Sequence, residues 1–278
     1  SFKDETNSMF VHPFEDKDVV IGQATLALEL IEQAMEPIDY ILVPIGGGGL
    51  ISGVLHVFKT LSPQTKVIGI EPEGAPAMQQ SLANGKITEL NEIDPFVDGA
   101  AVRKVGEDAF TLCTTFLDKL VLVSEGKICQ SILKLYNKEA IVVEPAGAMS
   151  TASLKMIAEE IKGKNVVCLI CGGNNDITRM AEIKERALLE ANLLHYFIVR
   201  FPQRAGALKE FVAEVLGPKD DVTFFEYSKK NNRSNGPAVV GIEIKNSDDF
   251  DSLVKRMKSK GFYGDYINNK PDLFQFLI

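Results

Sequence analysis

YILVPIGGGGL, residues 40 to 50, runs a short apolar segment straight into four consecutive glycines. Glycine loses more backbone freedom on folding than any other residue, so four in a row are costly. The apolar run Tyr40–Ile45 predicts a strand and Gly49–Leu61 predicts a helix, which sets the glycines between a strand end and a helix N-terminus. There a backbone without side chains can approach a guest closely, several N–H groups converge, and the helix dipole favours negative charge. The expected guest is a phosphate. The loop matches neither common phosphate fingerprint: Gly49 is followed by Leu50 and Ile51 rather than Lys-Ser/Thr, and Gly46, Gly48 and Ile51 do not fit G-x-G-x-x-G. A plain tight turn is the alternative, and it needs fewer glycines.

The flanking chain alternates in the same way. Helices are predicted over 19–35, 76–84, 108–116, 125–137 and 148–161, and strands over 66–71, 120–124 and 165–170. Continuous apolar strands between amphipathic helices predict an α/β unit, a mainly parallel sheet with helices on both faces. In such sheets ligands bind beyond the carboxyl ends of the strands. Three further segments reach that edge: Asp98-Gly-Ala-Ala101, Glu144-Pro-Ala-Gly147 and Cys171-Gly-Gly-Asn-Asn175. Four small-residue segments at one edge predict a pocket for a flat, phosphorylated cofactor.

A charged helical connector is read over 177–191, after which the pattern changes. Strands over 195–201, 221–228, 238–244 and 263–267, helices over 208–216 and 248–260, and a polar turn over 229–237 give a βαββαβ, ferredoxin-like order. The expected division is a catalytic domain 1–191, connector included, and a second domain 192–278.

Composition narrows the function. The 278 residues carry a net charge of −8, against the basic footprint of nucleic-acid binding. No apolar run reaches the length of a membrane span, and the N-terminal decapeptide has neither the basic start nor the apolar core of a signal peptide. The four cysteines lack the spacing of two CxxC pairs, and the reading is reduced thiols in a cytoplasmic protein. Cys168-Leu-Ile-Cys171 reads as buried small residues, with a redox pair as the alternative. His12, His56 and His195 lack metal-ligand spacing and read as turn, packing and strand residues.

His12-Pro-Phe14, Gly22-Gln23, the tetraglycine loop, Ile70-Glu71, Asp98-Gly99, Val143–Ala148 and Cys171–Asn174 together resemble the biosynthetic threonine dehydratase (threonine ammonia-lyase) family. These are pyridoxal-phosphate enzymes of the tryptophan-synthase β fold type. Phe201–Leu208 and Phe274–Leu277 resemble the family's single ACT-like regulatory domain. The resemblance implies that Gly46, Gly47, Gly48, Gly49 and Leu50 cradle the cofactor phosphate. It implies that Cys171 faces the pyridine nitrogen, where a thiol cannot hold the ring protonated as a carboxylate would, which favours β-elimination. Gly99 would lie near the ring, and Asn174 would order the cofactor edge. Glu144 reads equally as buried structure or as substrate-side electrostatics.

The implied reaction is deamination of L-threonine to 2-oxobutanoate and ammonia, the first step of isoleucine biosynthesis. The family's cofactor-linking lysine lies in Ser-Phe-Lys-x-Arg-Gly-Ala, whereas Asp4-Glu-Thr follows Ser1-Phe-Lys3 here. Lys3 is therefore not expected to be that lysine, and the expectation is a chain without it, inactive alone. In the second domain Arg204, Ala205, Gly206, Ala207 and Leu208 form a strand-to-helix turn whose N–H groups could hold an amino-acid carboxylate. By resemblance isoleucine would inhibit there, valine would oppose it, and the subunits would form tetramers. A purely structural dimerisation module is the alternative for this domain. Rival readings of the chain are a serine or catabolic threonine dehydratase, another β-elimination or β-replacement enzyme, and a non-catalytic amino-acid sensor.

Overall fold

The structure, a computed structural model, describes residues 9–227 and 235–278. Lys3 and most of the turn expected over 229–237 lie outside the described residues. Contacts divide the chain into two compact units, the first ending at Ile183 and the second beginning at Lys184.

The first unit is built on four strands. Helix α1 (Lys17–Gln33) starts where the Asp16 carboxylate accepts the Asp18 N–H at 2.9 Å. It is followed by β1 (Tyr40–Pro44), α2 (Gly49–Leu61), β2 (Lys66–Pro72), α3 (Ala77–Asn84), α4 (Glu107–Phe116), β3 (Lys119–Val123) and α5 (Glu125–Glu139). Then come α6 (Pro145–Ser153), the single turn α7 (Ala158–Ile161), β4 (Val166–Cys168) and the connector α8 (Met180–Glu190). The sheet order is β3-β2-β1-β4, and every pairing is parallel.

Central β1 is buried along its whole length. Ile41 and Val43 face one side and join a core with Ile51, Val54, Leu55 and Phe58 of α2 and Ala109 and Cys113 of α4. On the opposite side α6 lies against the sheet, where the Ser150 hydroxyl donates to the Leu42 carbonyl at 2.9 Å. Helices thus cover both faces, and the carboxyl ends of β1 and β2 deliver the tetraglycine loop and Glu71 to one edge.

Three element readings need correction. The helix expected over 148–161 starts at Pro145, because proline suits the first turn of a helix, where its missing N–H is no loss. It breaks after Ser153 into a 3-10 turn. There Thr151 and Ser153 hydroxyls bond the carbonyls of Ala148 and Ser150 (2.9 and 2.8 Å), competing with the helix ladder. The strand expected over 165–170 pairs only from Val166 to Cys168. After a last bond from Leu169 N–H to the Leu42 carbonyl at 3.3 Å, the chain leaves the ladder to reach α6. The turn expected to run to Pro237 yields to a strand from Asn235, since β5 offers a pairing partner as far as Pro202.

The second unit comprises β5 (Leu194–Pro202), α9 (Ala207–Glu214), β6 (Asp221–Tyr227), β7 (Asn235–Glu243), α10 (Phe250–Ser259), β8 (Tyr263–Tyr266) and α11 (Pro271–Leu277). The antiparallel sheet has the order β6-β7-β5-β8, the ferredoxin-like arrangement. One face packs Phe197, Val199 and Phe201 against Phe211 of α9 and Leu253 and Met257 of α10. The other sets Tyr196 against Leu188 and Leu189 of α8 and Phe274 and Leu277 of α11.

Candidate active site

The loop leaving β1 is glycine because its neighbours leave no room for side chains. A Cβ on Gly46 would sit 2.8 Å from the Ala100 Cα, and one on Gly47 would sit 2.2 Å from the Phe14 ring. One on Gly48 would meet the Ala109 Cβ at 2.2 Å, and there φ is +103°, in the region that favours glycine. Gly48 is also the N-cap of α2, and no side chain caps that helix. The Gly47 carbonyl accepts the Gly106 N–H at 2.9 Å and the Gly48 carbonyl accepts the Ser52 N–H at 3.0 Å, so the loop is fixed through its acceptors. Its donors are left over: among the described residues the N–H groups of Gly46 to Leu50 have no intramolecular partner. Unpaired amides at the positive end of a 13-residue helix form a site for an anion.

These amides open on a cavity of about 260 Å³. Gly46, Gly47, Gly48, Gly49 and Leu50 line it together with Gly99, Glu144 and Cys171. Asn174 is not in the lining; its N–H donates to the Glu144 Oε2 at 3.3 Å. Gly99 has no room for a side chain, since its Cβ would lie 2.9 Å from that of Ala146 and 3.0 Å from the Glu144 Oε1.

The loop after β4 and the start of α6 are laced together around Glu144. The Glu144 N–H donates to the Gly172 carbonyl at 3.0 Å, and the Asn175 side chain donates to the Val143 carbonyl at 3.0 Å. Gly172 has φ +73° and would drive a Cβ into the Glu144 carboxyl. Gly147 would drive one to 1.5 Å from the Cys171 carbonyl oxygen. Glu144 is therefore tied into the loop structure and also lines the cavity. Burial, and then the charge of Glu144, push the Cys171 thiol above its ordinary value, so it stays neutral and can donate or accept a weak hydrogen bond.

Pro13, Phe14 and Gln23 also line the cavity, and the sequence reading gave them no role there. The His12-Pro-Phe and Gly22-Gln23 segments were the signal for them. His12 Nδ1 accepts the Glu15 N–H at 3.1 Å, and its ring meets Phe14 edge-on at 4.5 Å, which steers Phe14 onto the glycine loop. His12 is thus a turn residue, His56 is exposed on α2, and buried His195 bonds Tyr266 and the Asn192 carbonyl. No group of His, Cys, Asp or Glu among the described residues could hold a metal.

The residues fit a phosphorylated planar cofactor. The uncapped amides suit its phosphate, and a thiol kept neutral by burial lines the same cavity. The sequence family described as pyridoxal-phosphate dependent enzymes matches residues 1–172. The chain belongs to the pyridoxal-phosphate-dependent enzyme family. The C-terminal regulatory domain of threonine dehydratase matches residues 185–277. The chain is 57% identical over 269 residues to L-threonine dehydratase biosynthetic IlvA of Halalkalibacterium halodurans, covering 97% of this chain and 65% of that protein. It is 54% identical to the Bacillus subtilis protein of the same name, of which it covers 64%. The chain thus spans just under two thirds of the length of these relatives. Among solved structures of the pyridoxal-phosphate family, it resembles the processed form of threonine deaminase isoform 2 from Solanum lycopersicum. That match has a TM-score of 0.64 and 36% identity, over 67% of this chain and 55% of the other.

The second unit has a cavity of its own, about 280 Å³, lined by Arg204, Gly206, Ala207 and Leu208 with Phe201, Phe225 and Tyr227. Ala205 is outside the lining. Gly206, at φ +83°, begins α9 without a side-chain cap, and Arg204 pairs with Glu210.

Proposed function

We propose that this chain is the greater part of a cytoplasmic, pyridoxal-phosphate-dependent L-threonine dehydratase that forms 2-oxobutanoate and ammonia and is regulated through its second unit. The observation that carries the reading is the cavity lined both by the free amides of Gly46–Leu50 and by Cys171. The likeness to dehydratases over both units supports it. Bound pyridoxal phosphate supplies an electron sink for the α-carbon of an amino acid. The chain's own groups do the rest of the binding. Amides of Gly46, Gly47, Gly48, Gly49 and Leu50 hold the phosphate and keep water from it. Gly99 lets the ring approach the 96–101 turn. Cys171 would face the ring nitrogen as a neutral thiol, and such a partner would not hold that nitrogen protonated as a carboxylate would, which favours β-elimination. The Asn174 N–H holds the Glu144 carboxylate, which lines the cavity and would attract a substrate ammonium there.

In the second unit, isoleucine is the proposed inhibitor and valine its opponent, with the carboxylate at the Gly206–Leu208 amides and the aliphatic chain against Phe201, Phe225 and Tyr227. The assembled enzyme is proposed to be a tetramer. The test is keto-acid production from L-threonine by the protein at the full length of its relatives, with pyridoxal phosphate. We expect 2-oxobutanoate, with turnover suppressed by isoleucine. A folded, cofactor-loaded protein that forms none overturns the reading.

A further inference from the structure

Arg179, just before the connector helix, is bonded to the 96–101 turn beside the cavity. Arg179 closes a 3-10 turn (Ile177–Arg179) that the Asp176 carboxylate caps through the Thr178 N–H at 2.9 Å. Its guanidinium donates to the Phe96 carbonyl at 2.7 Å, stacks 5.1 Å above the Phe96 ring, and pairs with the Asp98 Oδ2 at 3.3 Å. The other oxygen of Asp98 accepts the Gly99 N–H at 3.0 Å. Gly99 lines the cavity, and the turn behind it is tight, with the Ala100 and Ala101 N–H groups both on the Val97 carbonyl (2.8 and 2.7 Å). The Arg179 side chain is 23% exposed and that of Asp98 64%, so the guanidinium is partly withdrawn from solvent while the carboxylate is not.

Helix α8 begins at the very next residue, and its later turns belong to the second unit. The Tyr196 hydroxyl of β5 donates to Glu185 at 2.5 Å, Lys184 reaches Glu243 of β7 at 3.7 Å, and Leu188 and Leu189 pack with Tyr196 and Ile267. The residue before α8 thus holds the 96–101 turn, and the later turns of α8 hold β5 and β7. The planar guanidinium reaches two different acceptors, the Asp98 Oδ2 and the Phe96 carbonyl, so its fork fixes the direction of both hydrogen bonds.

We propose that Arg179 is a positioning residue that couples ligand binding on the second unit to the placement of Gly99 in the cofactor cavity, acting through Asp98 and the Phe96 carbonyl. This rests on the regulatory reading of the second unit given above, and the experiment separates the two. The chain is first titrated with isoleucine by calorimetry, then hydrogen–deuterium exchange of the 96–101 peptide is followed with and without isoleucine. We expect heat of binding and a change of about fivefold or more in the exchange of this peptide in the wild-type chain, in line with ordinary allosteric coupling. Arg179→Met should bind isoleucine as before yet show less than about a twofold change. Arg179→Lys, which keeps a cation beside Asp98 but lacks the fork, should respond in between. Where Arg179→Met does not fold, Asp98→Asn serves instead: its amide oxygen still accepts the Gly99 N–H while the ion pair is lost, so protection stays and the isoleucine response drops. A merely structural Arg179 would raise exchange equally with and without isoleucine. Binding heat with no exchange response in the wild-type chain, or a full response in Arg179→Met, overturns the coupling alone. No heat in the wild-type chain overturns the regulatory reading and the coupling with it.

Discussion

Gly147 and Gly22 both sit inside helices, yet their surroundings differ completely. Gly147→Ala would place a Cβ 1.5 Å from the Cys171 carbonyl oxygen, so the loop after β4 must move. We expect a loss of about 3 kcal/mol or more by urea unfolding of the first unit, and a disturbed cavity, as for other overpacked sites. Nothing lies within 4 Å of a Cβ on Gly22, which is exposed in α1. Gly22→Ala should stabilise by about 0.5–1 kcal/mol, because only the helix propensity changes. A destabilised Gly22→Ala would contradict that geometry. Glu71 supplies a pH test. It is buried and accepts the Met78 and Gln79 N–H groups at 2.6 and 2.9 Å, and burial raises its carboxyl from 4.5 to about 7 against those two bonds. Between these values the folded chain binds the proton more tightly than the unfolded chain. This contribution is therefore complete below about pH 4.5 and lost as the pH rises through about 7, some ~3 kcal/mol at most. Unfolding at a series of pH values should show that slope in the wild type and a flatter one in Glu71→Gln. The tetraglycine was legible because its own sequence is so unusual; the need for Gly147 was not, since it comes from a loop far away in the chain.

Among the elements, those shaped by local forces were read almost to the residue. Helix α2 was expected at Gly49–Leu61 and lies there, because the glycines fix its start and its apolar spacing its extent. The readings that failed were decided by distant partners or by side chains competing for carbonyls, as in the break after Ser153 and the short β4. Phe14 was signalled only through the His12-Pro-Phe14 segment, without its place: a residue before the first helix lines the cavity because the chain folds back over the glycine loop. Helix α10 carries the second core, with Leu253 and Met257 fully buried. Leu253→Ala should cost about 2–5 kcal/mol by the usual cavity effect, read as a lower melting transition of the second unit with little change in cofactor-site chemistry. Unaltered melting would show that this face of α10 does not hold the core.

For the molecule as a whole, two units with separate cores match two kinds of domain, one that handles pyridoxal phosphate and one that regulates threonine dehydratases. Fold class and domain order were legible because apolar period and element order are global properties of the sequence. The occupant of each cavity is a matter of chemistry, and it is there that the account can fail. Its central claim is that the amides of Gly46 to Leu50 bind a phosphate ester. The most direct measurement is the ¹H–¹⁵N correlation spectrum of the labelled chain titrated with pyridoxal 5'-phosphate and, separately, with pyridoxal. The account predicts that the resonances of Gly46, Gly47, Gly48, Gly49 and Leu50 shift progressively with the phosphate ester and stay in place with pyridoxal. Resonances unmoved by the ester, or moved alike by both compounds, would contradict it.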